Sequence, residues 1–129
     1  HPVACAVALE TLRIYEQDRI VDHVRAMAPR MKAGLEALRD HPLVGDVRGV
    51  GLMYGVELVE DKKTKASFDP KLKVGQRVLE ECQKAGLIVR AIEDRIAFTP
   101  PLIITAAQID EMCSLFRKGL DAAWVGLKG

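Results

Sequence analysis

The sequence predicts a layered α/β (α+β) fold, in which helices cover a small sheet. Four segments repeat apolar residues at steps of three and four, which is the period of an amphipathic helix. Two pairs of short strand-like runs lie between these segments, and each pair is joined by a turn. The length of 129 residues fits one domain with a buried core. The predicted order is helix, helix, two strands, helix, two strands, helix.

The first two helices differ in character. Residues 3–15 are rich in alanine and leucine and are at first apolar on nearly all sides. Such a helix would expose apolar faces unless another domain or subunit covered it. A second helix is predicted from Asp18 to about Arg39, with a kink or short break at Pro29, where proline removes a backbone donor. The pair His41-Pro42 ends it.

The middle of the chain reads as a hairpin followed by a helix. Residues 44–51 and 52–59 are predicted strands joined through a glycine-rich bend, and residues 60–69 are a charged, exposed loop. The third helix is predicted to begin at Pro70 with Asp69 as its N-cap, since proline suits the first turn. Gly86 is expected to stop it.

The last third predicts a second hairpin and a long helix. Residues 87–90 and 95–98 are predicted strands around an Ile-Glu-Asp turn. Thr105 is expected to cap the final helix, with Gln108 completing a capping box.

Composition excludes several function classes. The formal net charge of +1 and the scarcity of aromatic residues give no case for nucleic-acid or membrane binding. No apolar run approaches the roughly 20 residues that span a bilayer, and nothing resembles a signal peptide, so we expect a soluble, cytoplasmic protein. Three widely separated cysteines without a CxxC motif are expected to be reduced thiols. The histidines share no triad or metal spacing, and His23 is expected on the surface.

Two further patterns have structural explanations. The glycines 49, 51 and 55 do not follow the GxGxxG spacing, and a strand follows them, so a bend is favoured over a phosphate-binding loop. Arg48 could bind a carboxylate, but a structural or solvated ion pair is favoured.

None of the nine lysines lies in an apolar setting that would lower its pKa and make it a Schiff-base nucleophile.

Arg90 is the leading candidate for a substrate contact. It follows the apolar run Leu87-Ile-Val, which should anchor its backbone. A guanidinium there can bind a carboxylate through two parallel hydrogen bonds. The alternative is a surface arginine beside a turn. Arg95 is expected to pair locally with Glu93 or Asp94.

Three separated stretches resemble the class III pyridoxal-phosphate (PLP) aminotransferases. Residues 1–9 (HPVACAVAL) resemble the start of the family's C-terminal segment, and residues 47–59 resemble its RGxGLMxGxEL strand pair. Residues 97–105 (AFTPPLIIT), with QIDEM at 108–112, resemble its closing strand and helix. Together the stretches cover essentially the whole chain in the right order.

The resemblance implies an ω-amino acid:pyruvate type of enzyme, which transfers an amino group from an amine or ω-amino acid to a keto acid through PLP. It implies the C-terminal small domain of PLP fold type I, with a mainly antiparallel sheet. Residues 1–39 would be a helical linker from the large domain, and residues 40–129 the small domain. The whole enzyme would be a homodimer. Arg90 would bind the substrate carboxylate, with Thr99 and Pro100 as lining.

The resemblance also implies what this chain lacks. The Schiff-base lysine, the aspartate on the pyridine nitrogen and the phosphate cup would belong to a large domain upstream, because the chain looks like the later part of a longer protein. No catalytic, cofactor-binding or metal-binding residue is therefore expected here, and the segment alone should be inactive. An arginine near Ala97, typical of the acetylornithine and ornithine branch, is absent. The competing hypothesis is a non-catalytic α/β association module that uses its apolar first helix.

Overall fold

The computed structural model, which describes residues 1–128, contains four α-helices and a four-stranded sheet. The last residue, Gly129, ends the predicted small domain and lies outside the described residues. The helices are α1 (Pro2–Gln17), α2 (Ile20–Glu36), α3 (Val74–Lys84) and α4 (Ala106–Lys128). The strands are β1 (Val44–Val50), β2 (Met53–Leu58), β3 (Arg90–Ile92) and β4 (Arg95–Phe98). The predicted fold class and order of elements are confirmed.

The sheet is antiparallel throughout, in the order β1-β2-β4-β3, so β3 is an edge strand. Tyr54, Val56 and Ile96 are buried, while the residues between them on the same strands are half-buried or exposed. This alternation shows that one face of the sheet packs on the helices and the other remains open. One row of paired residues crosses the open face from β1 to β3, in the order Arg48, Gly55, Ala97 and Arg90.

The core lies between the covered face of the sheet and helices α2, α3 and α4. Phe116 of α4 is fully buried and meets Phe98 of β4 edge-on, with ring centroids 4.9 Å apart. Edge-to-face pairs of this kind stabilise beyond the burial of their area. Gly119 lets α4 approach α3 closely, since a Cβ there would lie 2.5 Å from the Cys82 sulfur.

Helix α1 stands apart from this core. Within residues 1–128 no residue of α1 is buried, and Val3 and Leu9 expose 63% and 68% of their surface. The expected exposure of its apolar face is thus present in the structure. None of the described helices is long and apolar enough to cross a membrane.

Two predicted helix boundaries are wrong. Asp69 does accept a hydrogen bond from Lys71 N–H (2.9 Å), but the turn it caps is a 3-10 segment, Pro70–Leu72, and α3 begins only at Val74. Lys73 between them has φ +49, which ends the 3-10 turn. The helix predicted to Arg39 ends at Glu36 and continues as the 3-10 segment Ala37–Asp40.

The other two differences concern a proline and an edge strand. Of the kink or short break expected at Pro29, the break is absent, because α2 continues through Pro29. Strand β3 begins at Arg90 instead of residue 87. Leu87 N–H instead donates to Cys82 O (2.8 Å), after Gly86 at φ +94, so the residues just before β3 close the end of α3.

The capping box at the start of α4 is confirmed. Thr105 N–H donates to Gln108 Oε1 (2.9 Å), and Gln108 N–H donates to Thr105 Oγ1 (3.3 Å). Two otherwise unpaired amide donors at the helix start are thereby satisfied.

His41 is a buried polar residue that no sequence pattern indicated, with only 2% of its surface exposed. Its Nδ1 accepts a hydrogen bond from Leu43 N–H (3.2 Å), and its Nε2 lies 3.3 Å from Asp121 Oδ1. The proton of the neutral ring therefore sits on Nε2, facing the carboxylate. Arg117 and Asp40 lie near it and partly cancel each other's charge.

The free energy of unfolding should fall as the pH drops from neutrality through about 6.5, the ordinary pKa of histidine. Burial lowers the pKa of His41 below its ordinary value, and the nearby Asp121 carboxylate opposes this shift only in part. Below about pH 6.5 the unfolded chain therefore binds a proton that the folded chain rejects, and stability is lost until the folded pKa is reached. Urea midpoints measured across this range should show the slope, and His41→Gln should flatten it. An unchanged slope in His41→Gln would assign the effect to another group.

Candidate functional site

A groove of about 800 Å³ opens beside the β3–β4 hairpin, between the start of β3, the loop after β4 and the first turns of α4. Arg90, Thr99 and Pro100, which the sequence singled out, all line it. The walls are mostly apolar, with Ile103 and Met112 among them. Among the described residues that line the groove, Arg90 is the one charged side chain. The groove therefore combines an apolar body with a single cation, as ligand pockets often do.

Arg90 is the first residue of β3 and is exposed. Its backbone is fixed by pairing with Ala97 of β4. Because residues two apart share a face, Arg90 and Ile92 point to the open side of the sheet together with Ala97. Within residues 1–128, Arg90 forms no ion pair with a carboxylate, so its guanidinium is available to a ligand.

The two neighbouring arginines are occupied. Arg48 Nε lies 3.0 Å from Asp46 Oδ2, and its Nη2 lies 3.3 Å from Glu57 Oε2. Arg95 Nη1 lies 3.6 Å from Glu93 Oε2, and its Nε lies 3.8 Å from Glu57 Oε1. The predicted structural role of Arg48 and the predicted local pairing of Arg95 are both confirmed.

Thr99 and Pro100 follow β4 directly. Thr99 is exposed and Pro100 is half-buried, so the hydroxyl of Thr99 can reach a ligand while Pro100 shapes the wall. Two other polar residues of the groove, Thr105 and Gln108, are engaged with each other in the capping box.

His23 is not simply a surface residue, as the sequence suggested. It is half-buried, and its Nε2 lies 2.9 Å from the carbonyl oxygen of Ile104, 81 positions later in the chain. This contact ties α2 to the loop that forms one side of the groove. No local pattern could have indicated it, because the partner is a backbone atom of a distant loop.

The lysines offer no site for covalent chemistry. Eight of the nine are exposed. The ninth, Lys62, is half-buried, and its Nζ donates to Arg39 O (2.5 Å) and His41 O (3.1 Å). Within residues 1–128 no group of three or more metal-ligating side chains comes together.

Comparison with known proteins identifies the family. Residues 1–120 match the profile of the family described as aminotransferase class-III. The chain belongs to the class III aminotransferases. The predicted resemblance is thus confirmed, and the enzymes of this family are PLP-dependent transferases.

Two curated relatives illustrate the match. The chain is 48% identical over 122 residues to putrescine–pyruvate aminotransferase of Pseudomonas aeruginosa, covering 94% of this chain and 26% of the relative. It is 43% identical over 122 residues to mitochondrial gamma-aminobutyrate transaminase 1 of Oryza sativa subsp. indica, covering 95% and 24%. The chain thus spans about a quarter of the length of these relatives.

Solved structures agree with the class III fold. An omega-transferase from Vibrio fluvialis JS17 superposes with a TM-score of 0.95 at 36% identity, covering 99% of this chain and 30% of that one. A PMP-bound aminotransferase from Vibrio fluvialis superposes with a TM-score of 0.92 at 37% identity, covering 97% and 28%. The predicted PLP fold type I is confirmed by these neighbours.

The residues of this chain do not fit a covalently held PLP. A Schiff-base lysine needs an amine kept in a low-dielectric setting, and the nine lysines here are in solvent or bound to backbone carbonyls. What the groove can do is bind and orient a carboxylate.

Proposed function

We propose that this chain is the small domain of an ω-aminotransferase, and that it supplies Arg90 to bind the carboxylate of the substrate. The enzyme transfers an amino group from an amine or ω-amino acid to a keto acid such as pyruvate. The observation that carries this proposal is the guanidinium of Arg90, which has no ion pair among the described residues and is the one charged side chain in a mostly apolar groove lining. The names of the relatives, which include a putrescine–pyruvate aminotransferase and gamma-aminobutyrate transaminases, support the substrate class.

The groove suits a small keto acid for a physical reason. A planar guanidinium binds a carboxylate through two parallel N–H···O bonds, which fix both position and orientation. Because the walls are mostly apolar, Arg90 is the one charged partner that a carboxylate would meet among the described lining residues. Thr99 and Pro100 lie on the same groove and would limit the part of the substrate beyond the carboxylate.

The rest of the enzyme is part of the proposal. A large domain holds PLP and its lysine, and the complete enzyme is a homodimer. Residues 1–39 form the helical link to that domain, and residues 40–129 the small domain. The exposed apolar side chains of α1 support the proposal that another part of the enzyme covers this helix. The end of α2 differs, because Met31 and Leu35 pack into the core formed with the sheet. The free cysteines suit a reducing compartment, and we place the enzyme in the cytoplasm.

A second candidate rests on α1 alone. Its exposed valine, leucine and isoleucine side chains would also suit an association module without catalytic activity. The unpaired Arg90 in its groove favours the aminotransferase.

The purified polypeptide that contains this chain, loaded with PLP, should form alanine from pyruvate when putrescine or 4-aminobutyrate is the amino donor. Removal of PLP by dialysis against a carbonyl-trapping amine should abolish the activity, and added PLP should restore it. A polypeptide that binds PLP yet transfers no amino group to pyruvate from any primary amine would contradict the proposed reaction. A polypeptide without PLP binding would favour the association module.

A further inference from the structure

The segment that carries Arg90 is held at both ends by one helix. At its start, Leu87 N–H donates to Cys82 O near the end of α3 (2.8 Å). At its far end, Gly75 N–H at the beginning of α3 donates to Asp94 Oδ1 (2.9 Å). Residues 87–94 therefore run back along α3, and Arg90 lies between the two points of attachment.

The attachment at Gly75 requires a glycine. A Cβ at Gly75 would lie 1.9 Å from the carbonyl oxygen of Glu93, so the hairpin turn touches the backbone of the helix itself. Glu93 takes up φ +54, a left-handed conformation that is unfavourable for a side-chain-bearing residue. The surrounding contacts must stabilise this turn, because an isolated chain would avoid it.

Asp94 also completes the start of α3. The residue at the N-cap position, Lys73, is left-handed at φ +49 and forms no side-chain cap. The carboxylate of Asp94 accepts an amide hydrogen bond of the first turn instead, where a negative charge is favourable. The carbonyl oxygen of Asp94 accepts a further bond from Leu58 N–H of β2 (2.8 Å). One residue thus connects the hairpin, the helix and the sheet.

Strand β3 contains three residues, lies at the edge of the sheet and, within residues 1–128, pairs with one neighbouring strand, β4. We propose that the contact between Asp94 and Gly75 is a clasp that positions Arg90, so that Asp94 and Gly75 are positioning residues for carboxylate recognition. This inference rests on the proposed function of Arg90. The backbone position of Arg90 sets where its guanidinium can meet a carboxylate, and the clasp limits the freedom of the short edge strand to shift.

The test uses the full-length PLP-loaded enzyme with two acceptors, pyruvate and an aldehyde without a carboxylate. Asp94→Ala should raise KM for pyruvate by roughly 5- to 50-fold, since a misplacement of about 1 Å can have an effect of this order. The kcat/KM for the aldehyde should stay within about twofold, because no carboxylate is bound there. Asp94→Asn keeps an acceptor oxygen, so its KM for pyruvate should lie close to that of the unaltered enzyme.

Asp69→Ala is the matched control. Asp69 is exposed, and its Oδ1 accepts Lys71 N–H at the same 2.9 Å within its own turn. Its loss should leave KM for pyruvate and kcat/KM for the aldehyde unchanged. If Asp94→Ala does not fold, Asp94→Ser takes its place, since serine keeps an acceptor oxygen on a shorter side chain. The same changes in pyruvate KM and aldehyde kcat/KM are then expected.

Arg90→Ala, measured in parallel, distinguishes a failure of the proposed role of Arg90 from a failure of the proposed role of Asp94. If Arg90→Ala leaves the pyruvate KM unchanged, the proposed function of Arg90 is wrong. Suppose instead that Arg90→Ala raises the pyruvate KM. If Asp94→Ala then lowers only the melting temperature, or lowers kcat/KM equally for pyruvate and the aldehyde, the clasp is merely structural and the inference is overturned. In an Arg90→Ala background, Asp94→Ala should have no further effect on the pyruvate KM.

Discussion

Replacing Arg90 by alanine in the PLP-loaded enzyme should lower kcat/KM for pyruvate by roughly 10- to 150-fold, which corresponds to about 1.5–3 kcal/mol for a lost charged hydrogen-bond pair. The side chain is exposed, unpaired among residues 1–128, and the only charge of the described groove lining. Among the described lining residues no other side chain carries a positive charge, so the loss of Arg90 removes the partner that this chain offers to the substrate carboxylate. Steady-state kinetics with varied pyruvate at saturating amine measures the effect.

Arg95→Ala is the control for net charge. Arg95 lies on the same hairpin, is 59% exposed in its side chain, and is paired with Glu57 and Glu93. Because exposed ion pairs contribute little, its loss should change kcat/KM by no more than about twofold. Arg90→Lys keeps the charge but not the planar fork, and should recover only part of the activity. Equal losses for Arg90→Ala and Arg95→Ala would show that general electrostatics, not a specific contact, is responsible.

Replacing Phe116 by alanine should lower the free energy of unfolding by about 3–5 kcal/mol. Phe116 is completely buried and joins α4 to the sheet through its edge-on contact with Phe98. Removal of the ring leaves a cavity beneath β4, and the fixed sheet register prevents neighbouring side chains from filling it. Urea unfolding followed by circular dichroism measures the change.

Two further variants serve as comparisons for the loss of stability in Phe116→Ala. Phe116→Leu retains most of the apolar volume and should cost clearly less than the alanine substitution. Val125→Ala removes a side chain from the same helix that is 72% exposed, and should stay within about 0.5 kcal/mol of the unaltered protein. A loss below about 1 kcal/mol in Phe116→Ala would mean that the core around Phe98 is not closely packed.

Local patterns in the sequence predicted much of this fold. The apolar periodicity of α4, its Thr105–Gln108 capping box and the glycine bend between β1 and β2 depend on residues close together in the chain, and all three are confirmed. The sequence singled out Arg90 because it follows an apolar run, and Arg90 lies on the groove. Its backbone is placed by pairing with Ala97 and not by a strand over residues 87–89, and its contact with substrate stays a prediction.

The remaining features depend on contacts between distant residues. Helix α3 starts late because its first turn is capped by Asp94, 19 positions further on, and not by Asp69. The contact of His23 with Ile104 and the close approach of Gly75 to Glu93 likewise join elements that no sequence window contains together. The reason for Gly75 could be seen only once the hairpin was placed on the helix.

The most direct test of the central claim, that Arg90 binds the carboxylate of the substrate, compares two acceptors in one variant. We predict that Arg90→Ala lowers kcat/KM for pyruvate at least tenfold, about 1.4 kcal/mol, while kcat/KM for an aldehyde without a carboxylate changes by less than about twofold. Loss of activity with both acceptors to the same degree would contradict the claim, because a residue that binds only the carboxylate cannot affect a substrate without one.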